Sequence, residues 1–431
     1  MRTQLTLFDE PITMPVDLKI SRSGTFLDNM ALPIHRWFKY SAGFSAQWVE
    51  RLLDDWKIDS RHVVLDPFAG SGTVMVVCDT RKIRSIGIEA NPFVARISRA
   101  KQLWTTPHGR FTDFANRICN LAREHRGNIS SYPSLIHRSF DEKTLGELDA
   151  LKTSWIKLDD QSSESELIWL VITTILRSTS SAGTAQWQYI LPNKTKKKIL
   201  SPQAAFEQMI SMMTADMFWM QSRSDVSLAE IVTGDVRNCS NIIKTEIDGV
   251  ITSPPYANNY DYADTLRFEM SFWGDINGWG DLHDKVRQYL IVSSSQHSSK
   301  DKLDIENILK MSAVAPIHDE LKIVVDELAN VRLNHGGKKH YHTMVAAYCR
   351  DISLSLQQLR KVCRRGSRMC WVIGDSAPYG VYCPVDRWIG ELSRAAGFTS
   401  YTFEKLRDRN IKWKNRKHRV PLKEGLLFIE G

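Results

Sequence analysis

The sequence lacks most of the features that would place it in a specialised class. No apolar run approaches the roughly 20 residues of a membrane span, and the N-terminus has no apolar secretory core, so the expected location is the cytoplasm. Seven cysteines lie scattered at 78, 119, 239, 349, 363, 370 and 383, and no pair has CxxC spacing. That argues against a disulfide framework and against a cysteine-based zinc site. His335, His340 and His342 sit beside Lys338 and Lys339; cationic neighbours repel a metal ion, so no metal is expected. No repeat or low-complexity tract is evident. What remains is an ordinary globular composition, 42% hydrophobic and 25% charged, with a net charge of +8. A surplus of that size suits a polyanionic partner and equally aids solubility.

At 431 residues the chain is too long for one minimal domain, so a core with insertions is expected. Residues 1–29 form an arm with little periodicity. Residues 30–104 begin an α/β pattern: a helix over Ala46–Trp56, the strand His62–Asp66, a glycine turn, a helix, and the strand Ser85–Glu89. Residues 105–228 break the alternation with helical stretches near Phe111–Glu124, Glu142–Trp155, Glu166–Leu176 and Ala204–Trp219. We read them as a helical insertion, with a Ser/Gly turn and a lysine cluster between the last two helices. The pattern resumes in 229–275 with strands Glu230–Thr233 and Gly249–Thr252. Residues 276–343 form a second, mainly helical insertion. Residues 344–431 supply a helix to Val362, the strand Met369–Ile373, a helix near Asp386–Ala396 and two closing strands.

Two loops carry chemistry. Asp66-Pro-Phe-Ala-Gly-Ser-Gly-Thr73 lies between a strand and a helix. Gly70 and Gly72 let the backbone turn sharply and approach a ligand with no Cβ in the way. Glu89 ends the next strand, where an acid can accept hydrogen bonds from both hydroxyls of a ribose. A dinucleotide enzyme is the obvious rival, but its third glycine is absent: Thr73, Val74 and Met75 follow Gly72. A tight turn without ligand is the plain alternative.

The second loop is Thr252-Ser-Pro-Pro-Tyr256. Two consecutive prolines fix a stiff, extended turn and remove two N–H donors, leaving carbonyls free to accept. Ser253 adds a hydroxyl and Tyr256 a flat ring. An exocyclic base amine needs such a set. Its lone pair is delocalised into the ring, and acceptors around its N–H bonds favour a tetrahedral nitrogen that can attack a methyl donor. Tyr256 can stack on a base taken out of the duplex. Catalysis would then be positioning plus electrostatic stabilisation. A rigid loop with a packed tyrosine is the plain alternative here.

Together, Phe68, Gly70, Gly72, the strand-end Glu89 and Ser253-Pro254-Pro255-Tyr256 resemble the DNA amino-methyltransferases, which act on cytosine N4 or adenine N6. The resemblance covers roughly 30–104 and 228–431. It implies a Rossmann-like methyltransferase fold: an α/β, mostly parallel sheet whose last strand runs antiparallel, with a helical insertion lobe. It implies S-adenosyl-L-methionine as cofactor and double-stranded DNA as partner; a cognate restriction endonuclease is a further partner such enzymes can have. It extends the cofactor set of Asp66, Phe68, Gly70, Gly72, Thr73 and Glu89 to Tyr40, Phe44 and Ser45, in a stretch similar to the family's N-terminal cofactor motif, and to Asp235, near the adenine. Ala257–Tyr262 and Leu266–Trp273 resemble the segment that follows the catalytic loop. The catalytic set is Ser253, Pro254, Pro255 and Tyr256. Serine at its head resembles the cytosine-N4 members, aspartate the adenine-N6 members. Cysteine-based C5 methylation is disfavoured, because no Pro-Cys dipeptide occurs; Cys383-Pro384 is the reverse order.

Two departures stand out. The family places target recognition in one contiguous block, whereas two insertions compete for it here, and Asp235 comes late because the first insertion precedes it. Between Lys405 and Lys423 there are nine Lys or Arg and one acid, Asp408. Within that run Lys412, Trp413, Lys414, Arg416 and Lys417 are candidates for phosphate and base contacts. So is the cluster Lys194, Lys196, Lys197 and Lys198; solvated loops are the alternative for both. Gln4-Leu-Thr-Leu-Phe8 resembles the short peptide with which bacterial proteins dock on the replication sliding clamp. The rival readings are an RNA amino-methyltransferase, a nicotinamide-dependent oxidoreductase and a catalytically dead DNA-binding protein.

Overall fold

The computed structural model describes residues 27–40, 43–125, 127–185, 188–297, 303–335, 339–409 and 420–431. The clamp-like peptide Gln4–Phe8 and the basic residues Lys412, Trp413, Lys414, Arg416 and Lys417 lie outside them. Nine strands are described: β1 Val63–Asp66, β2 Arg84–Glu89, β3 Ala182–Thr184, β4 Ile190–Thr195, β5 Ala229–Thr233, β6 Ile247–Thr252, β7 Cys363–Gly374, β8 Ser400–Arg409 and β9 Leu422–Glu430. Seven of them form one sheet in the order β5-β2-β1-β6-β7-β9-β8. All its neighbours pair in parallel except β9, which runs antiparallel to both β7 and β8. The fold is therefore α/β and mostly parallel, the Rossmann-like methyltransferase arrangement.

Central strands are apolar because helices cover both sides. Every residue of β6 is buried. The helices Ala46–Asp55 and Thr73–Thr80 share a core with Val64, Ile251 and Cys370. Tyr341–Val362 and Val385–Ala395 share another with Leu65, Val250 and Met369. Successive residues of β1, β6 and β7 thus face opposite layers, and the chain runs from β1 outward to β2 and β5 before returning to β6 on the other side of β1. There the strand order reverses, the place where open α/β sheets form a crevice.

The first insertion is a lobe of four long helices, His108–Glu124, Glu142–Leu158, Ser163–Thr179 and Pro202–Gln221. Three of them start at side-chain caps: Asp141, Ser162 and Ser201 each accept from a backbone N–H three residues on. Ser163–Thr179 is buried nearly all round and forms the lobe's centre. One buried carboxylate pins both ends of the insertion. Asp79 accepts from Trp104 Nε1 (3.0 Å) at the entry and from Leu228 N (2.8 Å) at the exit. A second, Asp216, accepts from Ile34 N (3.1 Å), Arg36 Nε (3.0 Å) and Trp37 Nε1 (3.0 Å), tying the N-terminal motif to the lobe.

The lobe is not wholly helical. β3 and β4 pair as an antiparallel hairpin where a turn and a lysine cluster were expected. Three residues of strand are too short a run to show alternation, and Gly183 is what lets the strands close: a Cβ there would strike Lys194. Lys194 is thus a strand residue. The second insertion carries the helices Trp279–Lys285, Ile305–Lys310 and His318–Arg332. Among the described residues no helix is long and apolar enough to cross a membrane, and no group of three His, Cys, Asp or Glu is placed to hold a metal.

Candidate active site

An open cleft lies at the carboxyl edge of β1, β2, β5 and β6. Its wall includes Tyr40, Phe44, Phe68, Gly70, Thr73, Glu89, Asp235, Ser253 and Pro255. Residues from five separate stretches of chain therefore meet there. Asp66, Gly72 and Ser45 stand behind the wall. Ser45 is the residue before the helix Ala46–Asp55.

The glycine turn explains itself sterically. Gly70 and Gly72 have φ of +52° and +84°, which only glycine adopts without strain. A Cβ on Gly70 would press on the Tyr40 ring at 3.0 Å, and one on Gly72 would strike Ser98 Oγ. Glu89 holds the turn from below. Its Oε2 accepts from Gly70 N (2.9 Å) and its Oε1 from Asn91 N (2.8 Å). Each carboxylate oxygen keeps a lone pair for a ligand. Burial pushes the Glu89 carboxyl up to about 7, against the pull of those N–H donors. Burial, with Glu89 and Tyr262 adding, raises the Tyr40 phenol well above its ordinary value. Asp235 is already engaged: it accepts from Arg237 N (2.8 Å) and from Arg237 Nη2 (2.6 Å).

Asp66 links the two loops. Its Oδ1 accepts from Phe68 N (3.1 Å) in the glycine turn and from Thr252 Oγ1 (2.5 Å) at the head of the second loop. Its other oxygen is buried without a hydrogen-bond partner, and burial raises the carboxyl to about 7.

In the second loop, Ser253 Oγ donates to the Val372 carbonyl on β7 (3.1 Å). With its proton committed there, the hydroxyl can only accept from anything entering the cleft. Pro254 is buried and Tyr256 half-buried. Tyr256 N donates to Tyr262 Oη (3.3 Å), and the Arg409 guanidinium lies 5.3 Å from the centroid of the Tyr256 ring. Arg409 also donates to the Asp375 carbonyl (2.7 Å). Gly374 makes room for both: a Cβ there would strike Arg409 and press on Tyr256 at 3.2 Å.

Several contributors escaped sequence reasoning. Tyr289, Leu290 and Ile291 of the second insertion complete the cleft wall. Beside them Asp261 accepts from Arg287 Nε (3.1 Å) and faces His297 Nε2 at 3.0 Å, all three buried. Burial alone would raise that carboxyl, but His297 and Arg287 hold it down at about 2. The partners lie 26 and 36 residues away in sequence, so no spacing could signal the cluster. Nor does the lysine cluster act as one unit. Lys194, Lys197 and Lys198 are exposed, whereas Lys196 turns inward and donates to the Arg177 carbonyl (2.5 Å). Partial burial lowers its ammonium value, with Arg177 adding.

Residues 20–100 match the DNA methylase family whose members act on N6 and N4 amines. The chain is 24% identical over 441 residues to the type II methyltransferase M.BsoBI of Geobacillus stearothermophilus, covering 92% of this chain and 85% of that protein. It is 24% identical over 407 residues to the type II methyltransferase M.AvaI of Nostoc sp., covering 87% and 81%. An M.AvaI of Anabaena variabilis matches equally.

Proposed function

We propose that this chain is a DNA amino-methyltransferase of the N4/N6 family, which the family match and the type II methyltransferase relatives support, and that it methylates cytosine N4 at a specific sequence in double-stranded DNA, with the target base flipped out of the stack. The observation that carries the cytosine assignment is Ser253. A neutral hydroxyl, not a carboxylate, heads the tetrapeptide, and its proton is committed to Val372.

Enzymes of this kind generally use S-adenosyl-L-methionine, which supplies an electrophilic methyl on a sulfonium. The cleft fits that molecule: a glycine turn with no space for side chains, a carboxylate with lone pairs to spare, and aromatic and aliphatic walls at Tyr40, Phe44 and Leu290. In this reading Glu89 accepts from the ribose hydroxyls and Tyr40 and Phe44 cover the methionine end. Asp235 stays with Arg237 while it borders the adenine. Ser253 Oγ and the Pro254 carbonyl accept from the base amine and draw its lone pair out of the ring, which also eases loss of the N–H proton after transfer. Tyr256 supplies a face for the flipped base. The relatives' type II designation suggests a restriction endonuclease of the same specificity as companion.

Nucleoside mass spectrometry of DNA from a host expressing the protein tests the assignment. N4-methylcytosine is expected. N6-methyladenine alone would overturn the choice of base, and unmodified DNA beside methylated RNA would overturn the choice of substrate.

A further inference from the structure

We propose that the β3–β4 hairpin, and not the second insertion, reads the DNA sequence, by entering the major groove beside the flipped base. The proposal rests on the DNA reading above and assigns its specificity to one element.

Position is the first argument. The first lobe packs on residues 267–273 through Phe140, Trp155 and Thr173, and the hairpin is the part of the lobe that meets Tyr260 and Asp261, nearer the catalytic loop. Tyr189 Oη accepts from Asp261 N (3.0 Å), and its ring lies 5.6 Å from that of Tyr260. Gln188 Nε2 donates to the Lys39 carbonyl (2.8 Å), next to Tyr40 on the cleft wall. Arg177 braces the turn end of the hairpin at Gln188: it donates to the carbonyls of Gln188 (2.7 Å) and Thr265 (2.7 Å) and pairs with buried Glu269. A reading element must be held at a fixed offset from the methylated base, and these contacts provide that offset.

Chemistry is the second argument. Among the described residues β3 and β4 pair only with each other, and a two-stranded ribbon fits a major groove about 12 Å wide. β4 exposes Asn193, Lys194 and Thr195, and Lys197 and Lys198 follow; Asn193 Oδ1 accepts from Arg138 Nη2, which leaves its amide N–H groups to donate. Amide and hydroxyl groups can address base edges while lysines hold phosphates. From Leu167 to Phe206 the chain has no acidic residue. The second insertion presents the opposite face. Its helix His318–Arg332 packs on Tyr341–Val362 and exposes Asp319 and Glu327, which repel a phosphate backbone, while exposed Lys322 is paired with Asp326.

The full-length Asn193→Ala/Thr195→Ala variant should be compared with wild type on a randomised duplex library, with methylated positions mapped by sequencing. Both side chains are exposed, and the one side-chain bond lost, Arg138 to Asn193, lies at the surface, so the melting temperature and the calorimetric affinity for S-adenosylmethionine should hold. Preference for the wild-type sequence over one-base mismatches should fall roughly tenfold or more. Asn330→Ala, on the helix of the second insertion, should leave the pattern unchanged. An unchanged pattern in the hairpin variant, or a pattern altered by Asn330→Ala instead, overturns the proposal. A library left unmethylated by wild type would instead overturn the DNA reading on which it rests.

Discussion

The glycine turn and Glu89 lie within one βαβ unit, from Val63 to Glu89, and hold each other through backbone N–H groups. The loop after β6 has no such local support. Its serine leans on β7, its tyrosine on Arg409 of β8, and the segment behind it on Arg287, His297 and Tyr189 from both insertions. One end of the cleft is thus set by neighbours in sequence. The other, apart from the Tyr256–Tyr262 bond, is set by neighbours in space. The two ends should therefore fail differently when disturbed.

Asp261→Ala should have the largest effect. It leaves the Arg287 guanidinium buried without its carboxylate, a loss of about 3–5 kcal/mol for a broken buried pair. Thermal unfolding should show it, and turnover should fall with it because residues 289–291 wall the cleft. Unchanged stability would mean that the second insertion does not support the catalytic segment. Ser253→Ala comes next. It should cut turnover roughly ten- to a thousandfold while cofactor affinity holds, as expected of a group acting in the transition state. Parallel loss of cofactor affinity would show that the two ends are not separable.

Glu89 tests the local end. Replacement by Ala should weaken S-adenosylmethionine binding by roughly 1–3 kcal/mol, the scale of hydrogen bonds to a charged group. Only the ionised carboxylate can accept from both hydroxyls, so wild-type affinity should rise as pH increases through about 7. Asp66, also raised to about 7, lies close by and titrates in the same range. The part due to Glu89 is therefore the difference between wild type and Glu89→Gln, which calorimetry from pH 6 to 8 can measure. Stability moves the other way. Between the ordinary 4.5 and about 7 the native carboxyl holds more protons than the unfolded one, so its contribution falls as pH rises across that window. A pH-independent difference between wild type and Glu89→Gln would refute the ribose assignment.

The smallest effect concerns phosphates. Neutralising Lys194, Lys197 and Lys198 should shallow the salt dependence of DNA binding, by a slope of about one for each phosphate no longer neutralised. Neutralising Lys196 alone should leave the slope untouched, because its ammonium is held by the Arg177 carbonyl. Equal effects from all four would mean that the hairpin opens on binding DNA.

Residue types and short spacings were enough for the α/β order, the glycine turn, the strand-end acid and the Ser-Pro-Pro-Tyr loop. Strand periodicity, positive-φ glycines and consecutive prolines are local demands, satisfied within a few residues. Tertiary structure alone decided the rest. Asp66 became a strut between the loops instead of part of the cleft wall, because β6 pairs beside β1 and brings Thr252 to it. Lys196 left its cluster because Arg177 offered it a carbonyl. The Asp261 cluster and the anchoring of the hairpin on Asp261 and Lys39 arose from contacts across 26 to 149 residues. Such contacts form only when helix packing and strand order have placed distant segments together, and burial then makes each unpaired polar group costly enough to require a partner.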